Sequence, residues 1–232
     1  MGYMRWNIPN ILTVIRLFAA PGVAIMFLYF PRPLADWYAM SLFILASVTD
    51  FLDGYLARKW HQESNFGAML DPIADKAMVV IALLVITGLS AGTSQFRTAM
   101  DPYILLPAII ILFREVFVSG LREFLGDKAS ELKVTKLAKW KTTVQMIAIS
   151  VLFAKGVLEH YAGALTYGMD RAIFEGIMSG EIEDVNNLAR YVNGMNISWS
   201  AGVILLWIAA TLTFITGIDY FKKSLPFLKD NK

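Results

Sequence analysis

Four aspartates, Asp50, Asp53, Asp71 and Asp75, fall in the stretch DFLDGYLARKWHQESNFGAMLDPIAD, between two long apolar runs. Asp50 and Asp53 are three apart and Asp71 and Asp75 are four apart, so each pair shares one face of a helix. A short connection makes those two helices antiparallel, and the four carboxylates can then point into one space. Like charges held together near lipid repel strongly unless something compensates them. Lys76 and Arg58 can neutralise part of the charge, and divalent cations can neutralise more. Oxygen donors in a chain without cysteine suit Mg²⁺ or Mn²⁺. Four acids can hold two such ions about 4 Å apart, the arrangement used in phosphoryl-group chemistry.

The neighbours fit a bulky ligand. Gly54 follows Asp53, and Gly67 sits one turn before Asp71. Each costs a helix about 1 kcal/mol relative to alanine, and in return the backbone is open to close approach. Ala57 keeps the same face small, and Arg58 is placed to meet a phosphate. A lone aspartate in a membrane helix is as often a packing or ion-pair residue. The DxxDG pattern lacks the alternating ligands of a calcium loop. Four acids at these spacings, with two glycines and an arginine, point to a functional site.

The elements that must position these residues are membrane helices. Hydrophobic residues make up 56% of the 232 residues, which puts the chain in the membrane class. Six apolar segments approach the roughly 20 residues that a span needs. They run from about Asn10 to Phe30, Leu34 to Leu56, Ala68 to Leu89, Tyr103 to Phe124, Thr142 to Leu158 and Ile197 to Phe221. The expected fold is therefore an all-α polytopic membrane protein, six transmembrane helices in one domain over 1–232. A short interfacial segment, MRWNIPN, opens it, with Trp6 at headgroup depth beside Arg5. Arg16 and Pro21 interrupt the first segment, and no small-residue cleavage site follows, so it reads as retained.

An even number of spans puts both termini on one side. With the N-terminus inside, only Arg32, Arg97, Lys155, Arg171 and Arg190 of the 21 basic residues fall outside, as the positive-inside rule requires. The outer loop, about Glu159 to Asn196, reads as a solvated cap containing surface helix such as DVNNLARYV. A net charge of +2 gives no electrostatic footprint for nucleic acid. The absence of cysteine excludes disulfides, thiolate metal sites and a cysteine nucleophile.

The run Asp50-x-x-Asp53-Gly54-x-x-Ala57-Arg58, eight residues, then Gly67-x-x-x-Asp71-x-x-x-Asp75, resembles the signature of the CDP-alcohol phosphotransferase family at every position. NIPNILTVIR, DPIADK, REVFVSGLREFLG and KLAKWKTTVQM resemble the bacterial branch that uses sn-glycerol 3-phosphate as acceptor. The long outer loop departs from that pattern. The resemblance implies transfer of a phosphatidyl group from CDP-diacylglycerol to the alcohol, with release of CMP. It implies two divalent ions, Mg²⁺ or Mn²⁺, on Asp50, Asp53, Asp71 and Asp75, with Asp75 also the general base. Gly54, Ala57, Arg58 and Gly67 are expected to seat the cytidine and phosphates. Asn10, Thr13 and Arg16 lie along one helical stripe and are expected to close over the nucleotide.

The acceptor phosphate needs cations. Arg114, Arg122, Lys139 and Lys141 are the candidates, while Lys128, Lys133 and Lys136 fit topology or anionic lipid. Glu115 either orients Arg114 or packs. The resemblance further implies a homodimer in the bacterial inner (plasma) membrane with a cytoplasmic active site. The apolar helix faces fit lipid equally well. The rival readings are a family member acting on inositol phosphate or serine and, from another class, a divalent-cation transporter. Transport favours acids at the bilayer midplane, whereas these lie near one interface beside Arg58, Lys59 and His61.

Overall fold

A computed structural model describes residues 7–60, 64–91, 100–126 and 136–227. The opening residues 1–6, including Arg5 and Trp6, lie outside it. For Gly54, Ala57, Arg58 and Lys139 the helical backbone is described but not the surroundings of the side chains.

Among the described residues the chain is all-helical: α1 (Ile8–Tyr29), α2 (Leu34–Lys59), α3 (Asn65–Ser90), α4 (Pro102–Leu125), α5 (Lys136–Thr166), α6 (Arg171–Ser179) and α7 (Leu188–Ser224), closed by a 3₁₀ turn, Leu225–Phe227. Five of these, α1, α3, α4, α5 and α7, are long and apolar enough to cross a membrane. The 26-residue α2 matches them in length but carries Asp36, Asp50, Asp53, Arg58 and Lys59, which lowers its hydropathy.

Local chemistry sets the helix ends. The Asn7 side chain accepts a hydrogen bond from the Asn10 amide at the start of α1. That helix stops at Tyr29, just ahead of Pro31 and Pro33. Asp101 caps α4 through the Tyr103 amide at 2.8 Å, with Pro102 in the first turn. Gly126 closes α4 at φ 52°, a left-handed conformation that favours glycine.

The expected outer loop is more ordered than the sequence indicates. α5 runs on to Thr166, and α6 follows, capped by Asp170 and closed by Gly180. Asp184 accepts hydrogen bonds from the Leu188 and Ala189 amides, so α7 begins nine residues before the apolar run at Ile197. The second half of DVNNLARYV is thus the first turn of α7 rather than a separate surface helix.

The chain forms two compact units. The first comprises Met1–Val85 and Ile149–Gly202, the second Ile86–Ala148 and Val203–Lys232. In the first, α1 lies against α2, where Gly22 leaves room for the Leu42 side chain. Phe153 of α5 meets Phe27 and Phe43 at ring separations of 6.4 and 6.0 Å. At one end Arg32 donates to the buried Asp36 carboxylate at 2.8 and 2.9 Å, and to the Gly156 carbonyl. The hydrogen bonding to Asp36 and the field of that carboxylate raise the Arg32 pKa above its ordinary value. In the second unit, Phe117 of α4 and Phe221 of α7 approach to 5.7 Å. Trp207 donates to the Tyr103 carbonyl at 3.1 Å.

Candidate active site

α1 inverts the usual pattern of a water-soluble helix. Its Asn10, Thr13 and Arg16 are buried, and its Ile8, Ile11, Ile15 and Phe18 are exposed. In lipid this is the favourable sense, because polar groups need partners inside the protein and apolar groups do not. The polar stripe is the one the sequence indicates, and its partners are the acids of α2 and α3.

Arg16 sits among all four aspartates. Its Nη1 donates to Asp50 and Asp75, and its Nη2 donates to Asp53. Asp71 lies 3.9 Å from Nη2. The Arg16 side chain is 1% exposed and that of Asp53 is 5%, whereas Asp50, Asp71 and Asp75 are more than one-third open. Thr13 takes up Asp71 separately, its hydroxyl donating to Oδ1 at 2.7 Å. The Arg16 Nε has no hydrogen-bond partner.

The two acidic pairs converge, and Arg16, expected over the nucleotide, stands among them. Here it is the counter-ion of the carboxylates. Among the described residues no group of three or more acids and histidines is spaced to hold a metal ion as it stands. The donor set still fits hard divalent cations. It is all carboxylate oxygen, and the Arg16 guanidinium by itself balances only one of the four negative charges.

Asn10 does something the sequence did not reveal. Its Oδ1 accepts from the Ser64 hydroxyl at 2.8 Å, and Ser64 in turn accepts from the Gly67 amide at 3.0 Å. Ser64 is therefore the N-cap of α3, and Asn10 ties that cap to α1. A Cβ on Gly67 would lie 2.8 Å from Asn10 Oδ1. The glycine thus accommodates the close approach of α1, whatever else it meets. Ser64 was missed, though a serine three residues ahead of Gly67 in an otherwise helical stretch is a legible cap signal.

In the second unit α4 presents Arg114, Glu115 and Arg122. Glu115 accepts from Lys141 of α5, which is buried, and lies 3.4 Å from Arg114 Nη1. Gly217 of α7 makes room for the Arg114 stem, with 2.9 Å from a would-be Cβ to Cγ. The guanidinium of Arg122 lies over the Tyr220 ring, 5.5 Å from its centroid. Arg114, Arg122 and Lys141 thus belong to one described polar region. Lys139 lies on α5 with its side-chain surroundings outside the described residues.

The CDP-alcohol phosphatidyltransferase family model matches residues 6–175, a stretch that contains the four aspartates and α4. The chain belongs to the CDP-alcohol phosphatidyltransferase family. Relatives extend that match over nearly the whole length. A CDP-diacylglycerol–glycerol-3-phosphate 3-phosphatidyltransferase of Cereibacter sphaeroides is 61% identical over 230 residues, 99% of this chain and 100% of its own. Proteins of the same name from Haemophilus influenzae and Rickettsia bellii are 36% and 38% identical. They cover 98% and 93% of this chain, and 98% and 94% of their own lengths. As a CDP-alcohol phosphatidyltransferase, the chain places its matched region across both compact units.

Proposed function

We propose that this chain is an enzyme of phospholipid biosynthesis that transfers the phosphatidyl group of CDP-diacylglycerol to sn-glycerol 3-phosphate. The products are phosphatidylglycerophosphate and CMP. One observation carries the reading: carboxylates from two helices meet at a single buried guanidinium, in a chain whose full-length relatives are named for this transfer.

Asp50, Asp53, Asp71 and Asp75 would hold two Mg²⁺ or Mn²⁺ ions, which when bound neutralise charge on the pyrophosphate. Asp75 stands open at the rim of the site and takes the proton of the attacking hydroxyl. The acceptor oxygen bonds to the phosphatidyl phosphorus, and the bond from that phosphorus to the CMP oxygen breaks. A carboxylate is a weak base, so positioning supplies much of the effect. Gly54, Ala57, Arg58 and Gly67 seat the cytidine and its phosphates, with Asn10 and Thr13 fixing α1 beside them. Arg114, Arg122, Lys139 and Lys141 receive the acceptor phosphate, and Glu115 orients Arg114 and Lys141.

The lipid donor requires a membrane and the acceptor requires water, so the site belongs at an interface. We place α2 as a sixth span, with both termini and the site on the cytoplasmic side of a bacterial inner membrane. The distribution of basic residues supports that orientation.

Labelled CDP-diacylglycerol in detergent micelles, offered each acceptor in turn, tests the reading. Glycerol 3-phosphate should yield a labelled phospholipid and CMP. A labelled lipid from inositol phosphate or serine, with none from glycerol 3-phosphate, would assign the chain to another branch.

A further inference from the structure

The second unit holds a group that the phosphate-binding cations do not account for. Tyr220, on α7, is 9% exposed, and its hydroxyl is buried with no hydrogen-bond partner. An unpaired buried hydroxyl costs stability, so its retention calls for a reason. The Arg122 guanidinium covers the Tyr220 ring at 5.5 Å, and three residues earlier on α7, Gly217 receives the Arg114 stem. Tyr220 therefore belongs to the same stretch of α4 and α7 as two cations assigned to the acceptor phosphate.

The acceptor itself supplies the matching chemistry. Glycerol 3-phosphate carries a phosphate, one reacting hydroxyl and one hydroxyl that takes no part in bond making. Cations satisfy the first. The third needs a neutral partner that can both donate and accept. Resting on the proposed function, we infer that Tyr220 is the residue that reads the non-reacting hydroxyl of the acceptor, and that its ring holds Arg122 toward the phosphate. Arg122 is exposed. It can turn from the ring to a phosphate without opening the helices. Sites that hydrogen-bond a substrate hydroxyl reject the analogue lacking it, because their own polar group is then left unpaired.

Tyr220→Phe keeps the ring and removes only the oxygen. The test measures kcat/KM for sn-glycerol 3-phosphate and for 3-hydroxypropyl phosphate, which lacks the middle hydroxyl, in the wild type and this variant. The wild type should prefer glycerol 3-phosphate by at least about tenfold. Tyr220→Phe should lose most of that preference, with KM for CDP-diacylglycerol unchanged. Its thermal midpoint should hold or rise, since the variant removes an unpaired buried group. Tyr220→Leu, which also removes the ring, should raise KM for both acceptors. An unchanged preference in Tyr220→Phe overturns the inference while leaving the proposed function intact. Failure of the wild type to use glycerol 3-phosphate at all overturns the proposed function instead.

Discussion

The guanidinium of Arg16 and the carboxylate of Asp53 form an ion pair with both partners buried, 1% and 5% exposed. The other acids on Arg16 are open to solvent on one side. Burial makes the Arg16–Asp53 pair the anchor of the site. Removing one member of a buried pair leaves the other charge uncompensated, at a cost of about 3–5 kcal/mol. Asp53 thus holds α1 on α2, a duty separate from the ligand role proposed for it.

Arg16→Gln should therefore lower the thermal midpoint in EDTA by on the order of 10 °C. Added Mg²⁺ should recover much of that loss, because an ion that binds only the folded state stabilises it by mass action, about 2.7 kcal/mol at a hundredfold excess over Kd. The wild type, which carries its own cation among the carboxylates, should gain less. Melting curves with and without Mg²⁺ check both statements. An equal response of the two proteins would separate Arg16 from the ion site.

Asp75→Asn should reduce turnover by at least about 100-fold, with little change in thermal midpoint. Asp75 is half-open, and Arg16 keeps Asp50 and Asp53 when it is lost. Product formation in micelles beside a melting curve separates the two effects. Near-normal synthesis would remove Asp75 from the role of base.

Gly67→Ala should weaken the enzyme through α1. The new methyl group lies 2.8 Å from Asn10 Oδ1, and overpacking of this kind costs about 1–3 kcal/mol. In an Asn10→Ala background the same substitution should cost less, since the obstructing oxygen is gone. A double-mutant cycle on thermal stability reads that coupling directly, and simple additivity would argue against the contact.

Arg122→Ala should raise the apparent KM for the acceptor several-fold more than that for the nucleotide lipid. Arg122 rests on Tyr220 in the second unit, whereas the carboxylates gather on α2 and α3 in the first. Steady-state titrations of each substrate at saturating levels of the other distinguish them. Equal effects on both would take Arg122 out of acceptor binding.

Much of this was legible in the sequence, and the exceptions share a cause. Apolar runs gave the spanning segments to within a few residues wherever caps and prolines sharpened the ends, as at Asn7, Pro31 and Asp101. Hydropathy falls silent where a helix leaves lipid, so the sequence indicates the extensions of α5 and α7 and the whole of α6 only as an outer cap with some surface helix in it. At the site, spacing identified the shared faces of Asp50 with Asp53, of Asp71 with Asp75, and of Asn10, Thr13 and Arg16. Periodicity describes one helix at a time and is silent about its partner. The contact of Arg16 with the acids and the Asn10–Ser64–Gly67 link therefore leave no mark in the spacing. The unpaired hydroxyl of Tyr220 has no signature in sequence at all, because an unsatisfied group is defined by what packs around it.

The most direct measurement is a structure determined with Mn²⁺ and CDP-diacylglycerol bound. Two ions should then be held by Asp50, Asp53, Asp71 and Asp75 over the pyrophosphate, with Arg16 withdrawn from at least the open carboxylates. Density showing all four acids still gathered on Arg16, with the nucleotide lipid bound elsewhere and no ion among them, would contradict that arrangement.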